Sequence, residues 1–426
     1  MAVDTPARIA VIGAGPIGLE AALYARYLGY DVEIYERGRV AEHVLSWGHA
    51  RMFTPFGLNR SPLGLAALRA QDPAYQPPAD EELLIGRQFA RRYLIPLAQS
   101  DLLADSLRDQ TEVVAVGRDG PLAGDLVGDE SRGDYNFRLL LASTRPDDHG
   151  RQRTAQADVI IDTTGTYGNH NWLGHGGIPA LGELAAQSHI EYGLADVLGA
   201  ARDEYAGRNI LLVGDGYSAA TNLVALAELA AQAPDTWITW VTRAECDVKS
   251  PQPIAPIADD RLSERRRVTQ MANSLASSDA NHVTLQSGTT LDAVTWHADL
   301  GRFSVRLLGK HVGELEFDRV VANVGFQADW RLHAGLHVDT CYVSGGLRKL
   351  AAALAAAPSP DALEGHLLGR EVLMQPEPNF YVLGAKSYGR DSRFFISAGL
   401  EQIREAFAII GDRADLDLYA TMAGHD

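Results

Sequence analysis

The glycines near the start of the chain stand at a spacing that can bind phosphate. The set Gly13-x-Gly15-x-x-Gly18 directly follows the apolar, β-branched run at residues 9–12. Gly13 allows a tight turn, Gly15 lets backbone N–H groups approach a pyrophosphate, and Gly18 lets a helix pack closely against the strand. The N-terminus of that helix would also present unpaired N–H groups to the phosphates. The spacing therefore predicts a dinucleotide-binding loop.

The residues after this loop complete a strand–helix–strand unit. A helix is predicted to follow the loop and to end near Gly29, and a second strand is predicted over residues 31–35. Glu36, at the end of the second strand, could accept hydrogen bonds from a ribose hydroxyl. The predicted nucleotide contacts are the loop and the end of this strand: Gly13, Gly15, Pro16, Ile17, Gly18, Glu36 and Arg37.

A second glycine-rich loop lies in the middle of the chain. Gly214-x-Gly216-x-Ser218-Ala219 follows the apolar strand that is predicted at residues 209–213. Small residues replace the third glycine of the motif, and they still allow a helix to pack closely against the strand. The loop therefore predicts a second dinucleotide site, against the alternative of a decayed site that is kept as scaffold.

The end of the next strand indicates which nucleotide the second loop binds. Arg243 stands where the first unit has Glu36, and a cation there suits the 2′-phosphate of NADP. Glu245 follows Arg243 closely and could instead serve a free ribose, so NADPH is favoured while NADH stays an alternative. The predicted contacts are Gly214, Gly216, Tyr217, Ser218, Ala219 and Arg243.

The composition restricts the class of protein. The chain has 426 residues, 46% of them hydrophobic and 22% charged, which predicts two or three globular domains. The net charge of −17 argues against a nucleic-acid surface, which needs clustered Lys and Arg. No apolar run reaches the roughly 20 residues of a membrane span, and MAVDTPARIA lacks the order of a secretory signal. We therefore expect a cytoplasmic protein with neither membrane nor nucleic-acid partners.

Two nucleotide loops in one chain suggest a nicotinamide that supplies a hydride and a flavin that accepts it. In this respect the sequence resembles the two-dinucleotide-binding-domain flavoproteins, which include flavin-containing and N-hydroxylating monooxygenases, Baeyer–Villiger enzymes, and thioredoxin and glutathione reductases. The resemblance implies an α/β fold in which an FAD-binding Rossmann-like domain contains an inserted NAD(P)-binding Rossmann-like domain. It places FAD at the first loop and NAD(P)H at the second. The implied domains are a first FAD segment at residues 1–175, the NAD(P)H domain at 176–325 and a second FAD segment at 326–426.

Shorter segments carry the same resemblance. ADVIIDTTGTYG, residues 157–168, resembles the strand and Ala-Thr-Gly motif that returns the chain to the FAD domain, with Thr164 and Gly165 at the cofactor. DQTEVVAVGRD resembles the strand whose backbone would meet adenine, here at Val113. The stretch that follows, residues 119–134, is expected to be a flexible hairpin.

Two later segments depart from the pattern of the group. FDRVVANVGFQAD, residues 317–329, resembles the second copy of the Ala-Thr-Gly motif but has Asn-Val-Gly at residues 323–325. NFYVLGA, residues 379–385, resembles the last FAD strand, where Gly384 is followed by Ala385 in place of the usual Asp. Gly384 stays a predicted cofactor contact, whereas no acidic contact to FAD is expected there.

One candidate for the substrate site is SWGHARMFTPFGLNRSPLG, residues 46–64, which follows the first strand–helix–strand unit. In the resembled group this region lines the flavin face. His49 or Arg51 could therefore hydrogen-bond the flavin or the substrate. The alternative is that the aromatic residues of this segment only pack beneath a loop.

A second candidate is AKSYGRDSRFF, residues 385–395, directly after the last predicted strand. Ligands bind at the carboxyl ends of the strands in such sheets. Lys386 and Arg390 could hold a carboxylate or a phosphate there. The alternative is a solvated basic loop on an acidic protein.

The cysteines restrict the reaction. Cys246 and Cys341 form no Cys-x-x-Cys motif, which argues against the disulfide reductases of the group and against a metal site. We therefore expect a flavin monooxygenase-like enzyme in which NADPH reduces FAD and O₂ then oxygenates a small organic substrate. The alternatives are an FAD-dependent reductase or dehydrogenase that transfers hydride without oxygenation, and a non-catalytic flavin redox sensor. A homo-oligomer is compatible with each.

Overall fold

The computed structural model describes residues 3–247, 250, 252–277, 282–356 and 369–422. The chain divides into two compact units. The first unit consists of Met1–Leu45, Thr54–Asn169 and Gln327–Asp426, and the second consists of Ser46–Phe53 and His170–Phe326. The chain thus leaves the first unit and later returns to it, as an inserted domain requires. The sequence placed these boundaries at residues 175 and 325 and did not separate Ser46–Phe53 from the first unit.

The strands of the described residues belong to four sheets. They are, in chain order, β1 (Arg8–Ile12), β2 (Asp31–Tyr35), β3 (Leu107–Arg108), β4 (Thr111–Arg118), β5 (Phe137–Ser143), β6 (Gln152–Ala157), β7 (Val159–Asp162), β8 (Asn209–Val213), β9 (Trp237–Thr242), β10 (Val283–Ser287), β11 (Thr289–His297), β12 (Arg302–Gly309), β13 (Gly313–Phe317), β14 (Arg319–Ala322) and β15 (Phe380–Val382).

Each unit contains one parallel and one antiparallel sheet. In the first unit β15, β7, β1, β2 and β3 form a parallel sheet in that order, and β4, β5 and β6 form an antiparallel one. In the second unit β10, β9, β8 and β14 form the parallel sheet, and β11, β12 and β13 the antiparallel one. The predicted fold class, α/β with two Rossmann-like units, is confirmed.

Helices connect these strands. They are α1 (Pro16–Tyr27), α2 (Glu42–Ser46), α3 (Pro62–Gln71), α4 (Gly86–Phe89), α5 (Ile95–Ala98), α6 (Glu183–Ala186), α7 (Arg202–Tyr205), α8 (Tyr217–Gln232), α9 (Ser263–Ala276), α10 (Arg348–Ala356), α11 (Ala385–Tyr388), α12 (Ile396–Ile410) and α13 (Leu418–Met422). A π-helical turn at Ala90–Leu94 joins α4 to α5. Within the described residues, none of these helices has both the length and the apolar character that a membrane crossing needs.

The register of β1 brings three chain segments to one edge of the first parallel sheet. β1 is apolar and buried from its second residue onward, as strands covered on both faces are. Its last residue, Ile12, pairs with Tyr35 at the end of β2 and with Asp162 at the end of β7. The residues after these three strands therefore emerge together at the carboxyl edge.

The stretch 119–134 joins the antiparallel strands β4 and β5, and a buried charge cluster anchors it at Arg132. The expected flexibility of this hairpin stays a prediction. Arg132 Nε donates to both carboxylate oxygens of Glu377 at 3.0 Å, and Arg118 Nε donates to Oε1 at 2.7 Å. The three side chains are 0% exposed. Arg132 also donates to two backbone carbonyls of the hairpin, at 2.8 and 3.0 Å. The hairpin is thus tied to the chain that leads into β15.

We expect Arg132→Ala to lower the free energy of unfolding by about 3 kcal/mol, because it removes one of the two cations that face the buried Glu377 carboxylate. Arg138→Ala is the matched control, since Arg138 pairs with Asp119 at 3.5 Å on the exposed face of the same hairpin and should contribute less than about 1 kcal/mol. Urea unfolding measures both values. Equal losses in the two variants would contradict the anchoring role.

Helix α1 carries a buried carboxyl group, Glu20, which is 2% exposed. Burial raises the pKa of Glu20 to about 7, and the hydroxyls of Ser61 and Tyr419 offset part of this effect. Ser61 is the N-cap of α3, and Tyr419 belongs to α13. A proton on Glu20 therefore helps three helices to pack in the first unit.

We expect Glu20→Gln to remove a pH dependence of stability. The pKa of Glu20 is raised on folding, so its proton stabilises the fold fully below the unfolded pKa, and this contribution is lost as the pH rises through about 7. The stability of Glu20→Gln relative to the wild type should rise by about 3 kcal/mol between acidic and mildly alkaline pH. Unfolding free energies measured across this range test it, and a constant difference would contradict it.

Candidate functional site

The first glycine loop has the geometry of a phosphate-binding turn. Gly13 has φ +104°, and a Cβ there would lie 3.0 Å from the carbonyl oxygen of Thr163. A Cβ on Gly18 would lie 1.8 Å from the carbonyl oxygen of Gly13, so only glycine fits. Gly15, the N-cap of α1, has no atom within 4 Å of its Cβ position. The loop is therefore packed against the protein on one side and open at Gly15.

The end of β2 braces this loop. The Glu36 carboxylate accepts hydrogen bonds from the N–H groups of Ala14 and Gly38, both at 2.8 Å. Each carboxylate oxygen has more than one acceptor position, so Glu36 can still accept a bond from a ribose hydroxyl. The guanidinium of Arg37 lies against Gly168, where a Cβ would stand 2.6 Å from Nη2.

The turn after β7 is fixed by its own aspartate. The Thr164 N–H and hydroxyl both donate to Asp162 Oδ1, at 2.9 and 2.7 Å. Lys386 Nζ in turn donates to the Thr164 hydroxyl oxygen at 3.1 Å. The side chain of Thr164 is thus engaged inside the protein, and the backbone of Thr164 and Gly165 is what the turn can offer a cofactor.

Lys386 belongs to a buried charge cluster rather than to a solvated loop. Its Nζ lies 2.6 Å from Asp162 Oδ2, and His333 Nε2 lies 2.9 Å from the same oxygen. The three side chains are at most 1% exposed. Burial raises the pKa of Asp162, but Lys386 and His333 outweigh it and hold that pKa well below its usual range. The predicted carboxylate partner of Lys386 is therefore the protein's own Asp162.

Sequence reasoning missed Asp162 as the partner of Lys386, and it missed His333, which contacts the same carboxylate oxygen. Asp162 is the one charged residue of the strand Val159–Asp162, and a buried acid that ends an apolar strand is a signal that could have been used. His333 lies in the short 3₁₀ helix Arg331–His333, far from Asp162 in sequence, and nothing local marks it.

Arg390, the second basic candidate of residues 385–395, is also hydrogen-bonded to other residues of the protein. Arg390 Nη2 donates to Gln327 Oε1 at 3.1 Å, and Nη1 donates to the carbonyl of Val343 at 3.4 Å. Arg390 therefore ties the chain after α11 to the segment that returns to the first unit. A role for it in holding an anionic substrate stays a prediction.

Gly384 and Ile17 bring the last strand against the first loop. Gly384 has φ +76°, and a Cβ there would lie 3.3 Å from the Ile17 side chain. A Cβ on Gly399 of α12 would meet the same side chain at 2.3 Å. The Gly384 N–H donates to Gln402 Oε1 at 2.8 Å, and this bond is buried. Ile17 thus packs against β15 and α12 rather than facing outward.

Val113 lies in β4, where the pairing with β5 shifts between Val113 and Ala115. Such a bulge leaves one residue out of the ladder. The backbone near Val113 is accordingly less regular than the rest of β4, which is compatible with the predicted contact to adenine.

The segment that holds His49 and Arg51 groups with the second unit. There Phe53 packs on the core of that unit, with its ring 5.7 Å from the ring of Tyr217 and nearly perpendicular to it. Phe56, in the first unit, is 1% exposed and packs edge-on against Tyr93 at 5.5 Å. Phe53 and Phe56 therefore follow the alternative in which the aromatic residues of this segment only pack within the protein. Flavin contacts of His49 or Arg51 stay predictions.

The second glycine loop repeats the construction of the first. Gly214 has φ +132°, and a Cβ there would lie 2.2 Å from the carbonyl oxygen of Asn323. Gly216, the N-cap of α8, has no atom within 4 Å of its Cβ position. At the start of α8, Ala219 is buried and packs against the protein, whereas Ser218 is exposed and faces outward.

Asn323 explains the departure from Ala-Thr-Gly at this position. Its side-chain oxygen accepts from Asn222 Nδ2 at 2.7 Å, and its Nδ2 donates to the carbonyl of Gly193 at 2.8 Å. Asn222 also donates to that carbonyl and accepts from the N–H of Ala195. The asparagine is therefore a structural bridge between β14, α8 and the chain that precedes β8.

Arg243 is exposed directly after β9, at the carboxyl edge of the second parallel sheet. Glu245, the residue that could have served a free ribose, pairs with Lys310 at 2.6 Å. The Tyr217 ring lies 5.9 Å from the guanidinium carbon of Arg265, which is itself held by Asp260 at 2.6 Å. A cation rather than a carboxylate as the nucleotide contact at the end of β9 stays a prediction.

The two packed loops and the two parallel sheets form two Rossmann-like units, and comparisons with known proteins find similar chains. A family model described as pyridine nucleotide-disulphide oxidoreductase matches residues 8–42, the first strand–helix–strand unit. A search of curated protein sequences finds no match.

Three solved structures show the same fold over almost the entire chain. Bacillithiol disulfide reductase Bdr from Bacillus cereus has 15% identity and a TM-score of 0.64, with 99% of each chain covered. A flavin monooxygenase from Stenotrophomonas maltophilia has 19% identity and a TM-score of 0.56, covering 96% of this chain and 99% of that one. T. acidophilum thioredoxin reductase has 15% identity and a TM-score of 0.54, covering 95% and 98%. At these identities the likeness concerns the fold.

We expect Gly15→Ala to weaken FAD binding roughly 10- to 100-fold while leaving the fold intact, because a methyl group there meets no protein atom but blocks close approach of a phosphate. Gly117→Ala is the control, since its Cβ would also meet nothing within 4 Å and it lies in β4. Titration of the apoprotein with FAD gives both affinities. Unchanged affinity in Gly15→Ala would refute the assignment.

Proposed function

We propose that the protein is an FAD-dependent oxidoreductase that uses NADPH, with FAD held by the first unit and NADPH by the second. One observation carries the proposal: the same open-faced loop is built twice. In each, the first glycine presses against the turn after a neighbouring strand, and the N-cap glycine, Gly15 or Gly216, is left open. With the domain boundaries predicted from the sequence, residues 1–175 and 326–426 bind FAD, and residues 176–325 bind NADPH.

The residues that would hold each cofactor follow from this arrangement. For FAD they are Gly13, Gly15, Pro16, Gly18, Glu36, Arg37, Val113, Thr164, Gly165 and Gly384, and for NADPH they are Gly214, Gly216, Tyr217, Ser218, Ala219 and Arg243. The helix N-termini of α1 and α8 supply N–H groups and a partial positive charge to the pyrophosphates. A bound flavin supplies the capacity to accept two electrons and to pass them on.

We expect Arg243→Ala to weaken NADPH binding about tenfold or more and to change NADH binding little. The reason is that Arg243 would pair with the 2′-phosphate, which NADPH carries and NADH lacks. Arg306→Ala is the control, as Arg306 pairs with Asp292 on an exposed sheet face of the same unit. Dissociation constants for both nucleotides decide the point. Equal losses for NADPH and NADH would refute the role.

For the reaction, we propose oxygenation of a small organic substrate by O₂ after NADPH has reduced the flavin. Two observations support it: the sequence has no Cys-x-x-Cys motif, and a flavin monooxygenase shares the fold over nearly its full length. The sequence leaves the substrate open.

Hydride transfer without oxygenation is the second candidate, with a low-molecular-weight disulfide as one acceptor. Fold neighbours that are named disulfide reductases favour it. Cys341 lies in the first unit, and hydrogen bonds from Ser344 and Val343 lower the pKa of its thiol. An accessible thiolate is the form that attacks disulfides.

We expect NADPH to bleach the visible flavin band of the holoprotein in the absence of oxygen. Absence of bleaching would refute both candidates and favour the flavin sensor. Admission of O₂ without substrate then separates the two candidates. Slow release of H₂O₂ relative to flavin reduction would support oxygenation. Immediate release, together with NADPH-dependent reduction of a small disulfide that Cys341→Ser abolishes, would support the second candidate.

A further inference from the structure

The buried cluster of Asp162, Lys386 and His333 stands at the edge of the sheet where the first nucleotide loop lies. Asp162 ends β7, and Lys386 follows β15, the strand that pairs with β7 in parallel with Val382 opposite Asp162. The carboxyl ends of parallel strands form the ligand-binding edge of such sheets. The charges of the cluster are therefore fixed on the ligand side of the first unit.

Packing places this cluster close to the loop. Thr163, next to Asp162, donates to the carbonyls of Ile12 and Gly13 at 2.9 and 3.1 Å. Gly384, two residues before Lys386, lies against Ile17 of the loop. Both chain segments that carry the charges thus touch the glycine loop within one or two residues of the charge.

We propose that the fixed charge of Lys386, held by Asp162, sets the reduction potential of the flavin in the first unit. The inference rests on the proposed function, because it needs FAD at the first loop. A hydride brings two electrons and one proton, so NADPH becomes NADP⁺ and the flavin that receives the hydride gains one negative charge. A cation nearby favours that reduced form, and an anion disfavours it.

Burial makes the cluster effective for this purpose. Its side chains are at most 1% exposed, so water and salt screen their charges little. Lys386 Nζ also has three fixed neighbours: the Asp162 carboxylate at 2.6 Å, the Thr164 hydroxyl at 3.1 Å and the Trp330 ring, whose centroid is 5.1 Å away. A charge held in this way acts without reorganisation when the flavin becomes negative.

The test measures the potential of the bound flavin in variants that change the sign of the net charge. Asp162 and Lys386 carry opposite charges, so Asp162→Asn removes a negative charge near the flavin and Lys386→Met removes a positive one. At a fixed solution potential, Asp162→Asn should raise the ratio of reduced to oxidised flavin at least tenfold. Lys386→Met should lower this ratio by the same factor. Tenfold corresponds to about 30 mV for a two-electron couple. The double variant should lie between the two single variants, because the two shifts have opposite signs.

Opposite shifts separate an electrostatic effect from structural damage, which would move both variants in one direction. Glu377→Gln is the matched control, because it also removes a buried negative charge, but at the amino end of β15. It should leave the potential within about threefold of the wild-type ratio, as should Lys386→Arg, since neither alters the charge at the carboxyl edge. If Lys386→Met does not retain FAD, Lys386→Gln replaces it.

Shifts in the same direction, or no shift in Asp162→Asn, would overturn the inference while leaving the proposed function standing. A holoprotein whose Glu377→Gln variant shifts as far as Asp162→Asn would overturn it as well. Failure of the wild-type chain to take up FAD would refute the proposed function and the inference together.

Discussion

The close approach between each glycine loop and the turn of a neighbouring strand is the constraint on which the rest of the structure depends. In the first unit the backbone of Gly13 meets Thr163, and in the second the backbone of Gly214 meets Asn323. A side chain at either glycine would push apart two strands that must be adjacent in a parallel sheet. Because this contact fixes the strand order, it also fixes which segments lie at the carboxyl edge, and hence where a ligand can bind.

The sequence was sufficient for the parts of the fold that are local. Both loops, their flanking strands and their helices follow from glycine spacing and apolar runs within about 35 residues, a length that suits one strand–helix–strand unit. Residue spacing also placed Arg243 at the end of β9, where the structure has it. These features could be predicted because the physical cause and its effect lie close together along the chain.

Long-range pairings could not be predicted in the same way. Lys386 was recognised as a cation after a strand, but its partner Asp162 comes from another segment, and His333, which contacts the same carboxylate, comes from a third. Arg132 pairs with Glu377 across 245 positions, so nothing near this polar, glycine-rich stretch marks its buried anchor. Asn323 was read as a departure from a motif, whereas its amide bridges three elements. In each case a buried polar group meets its partner only after the sheets have formed.

Strand β15 links these observations, because a three-residue strand has a buried charge cluster at either end, with Glu377 before it and Lys386 after it. It is the edge strand of the first sheet, yet it follows the whole second unit in the chain. During synthesis the second unit can therefore complete its core while the first still lacks an edge, and domains generally fold in the order in which they are finished. The ionic contacts on both sides of β15 then fix its register when it joins the sheet. The parallel sheet of the first unit is therefore completed late, after the second unit, which is inserted in the first.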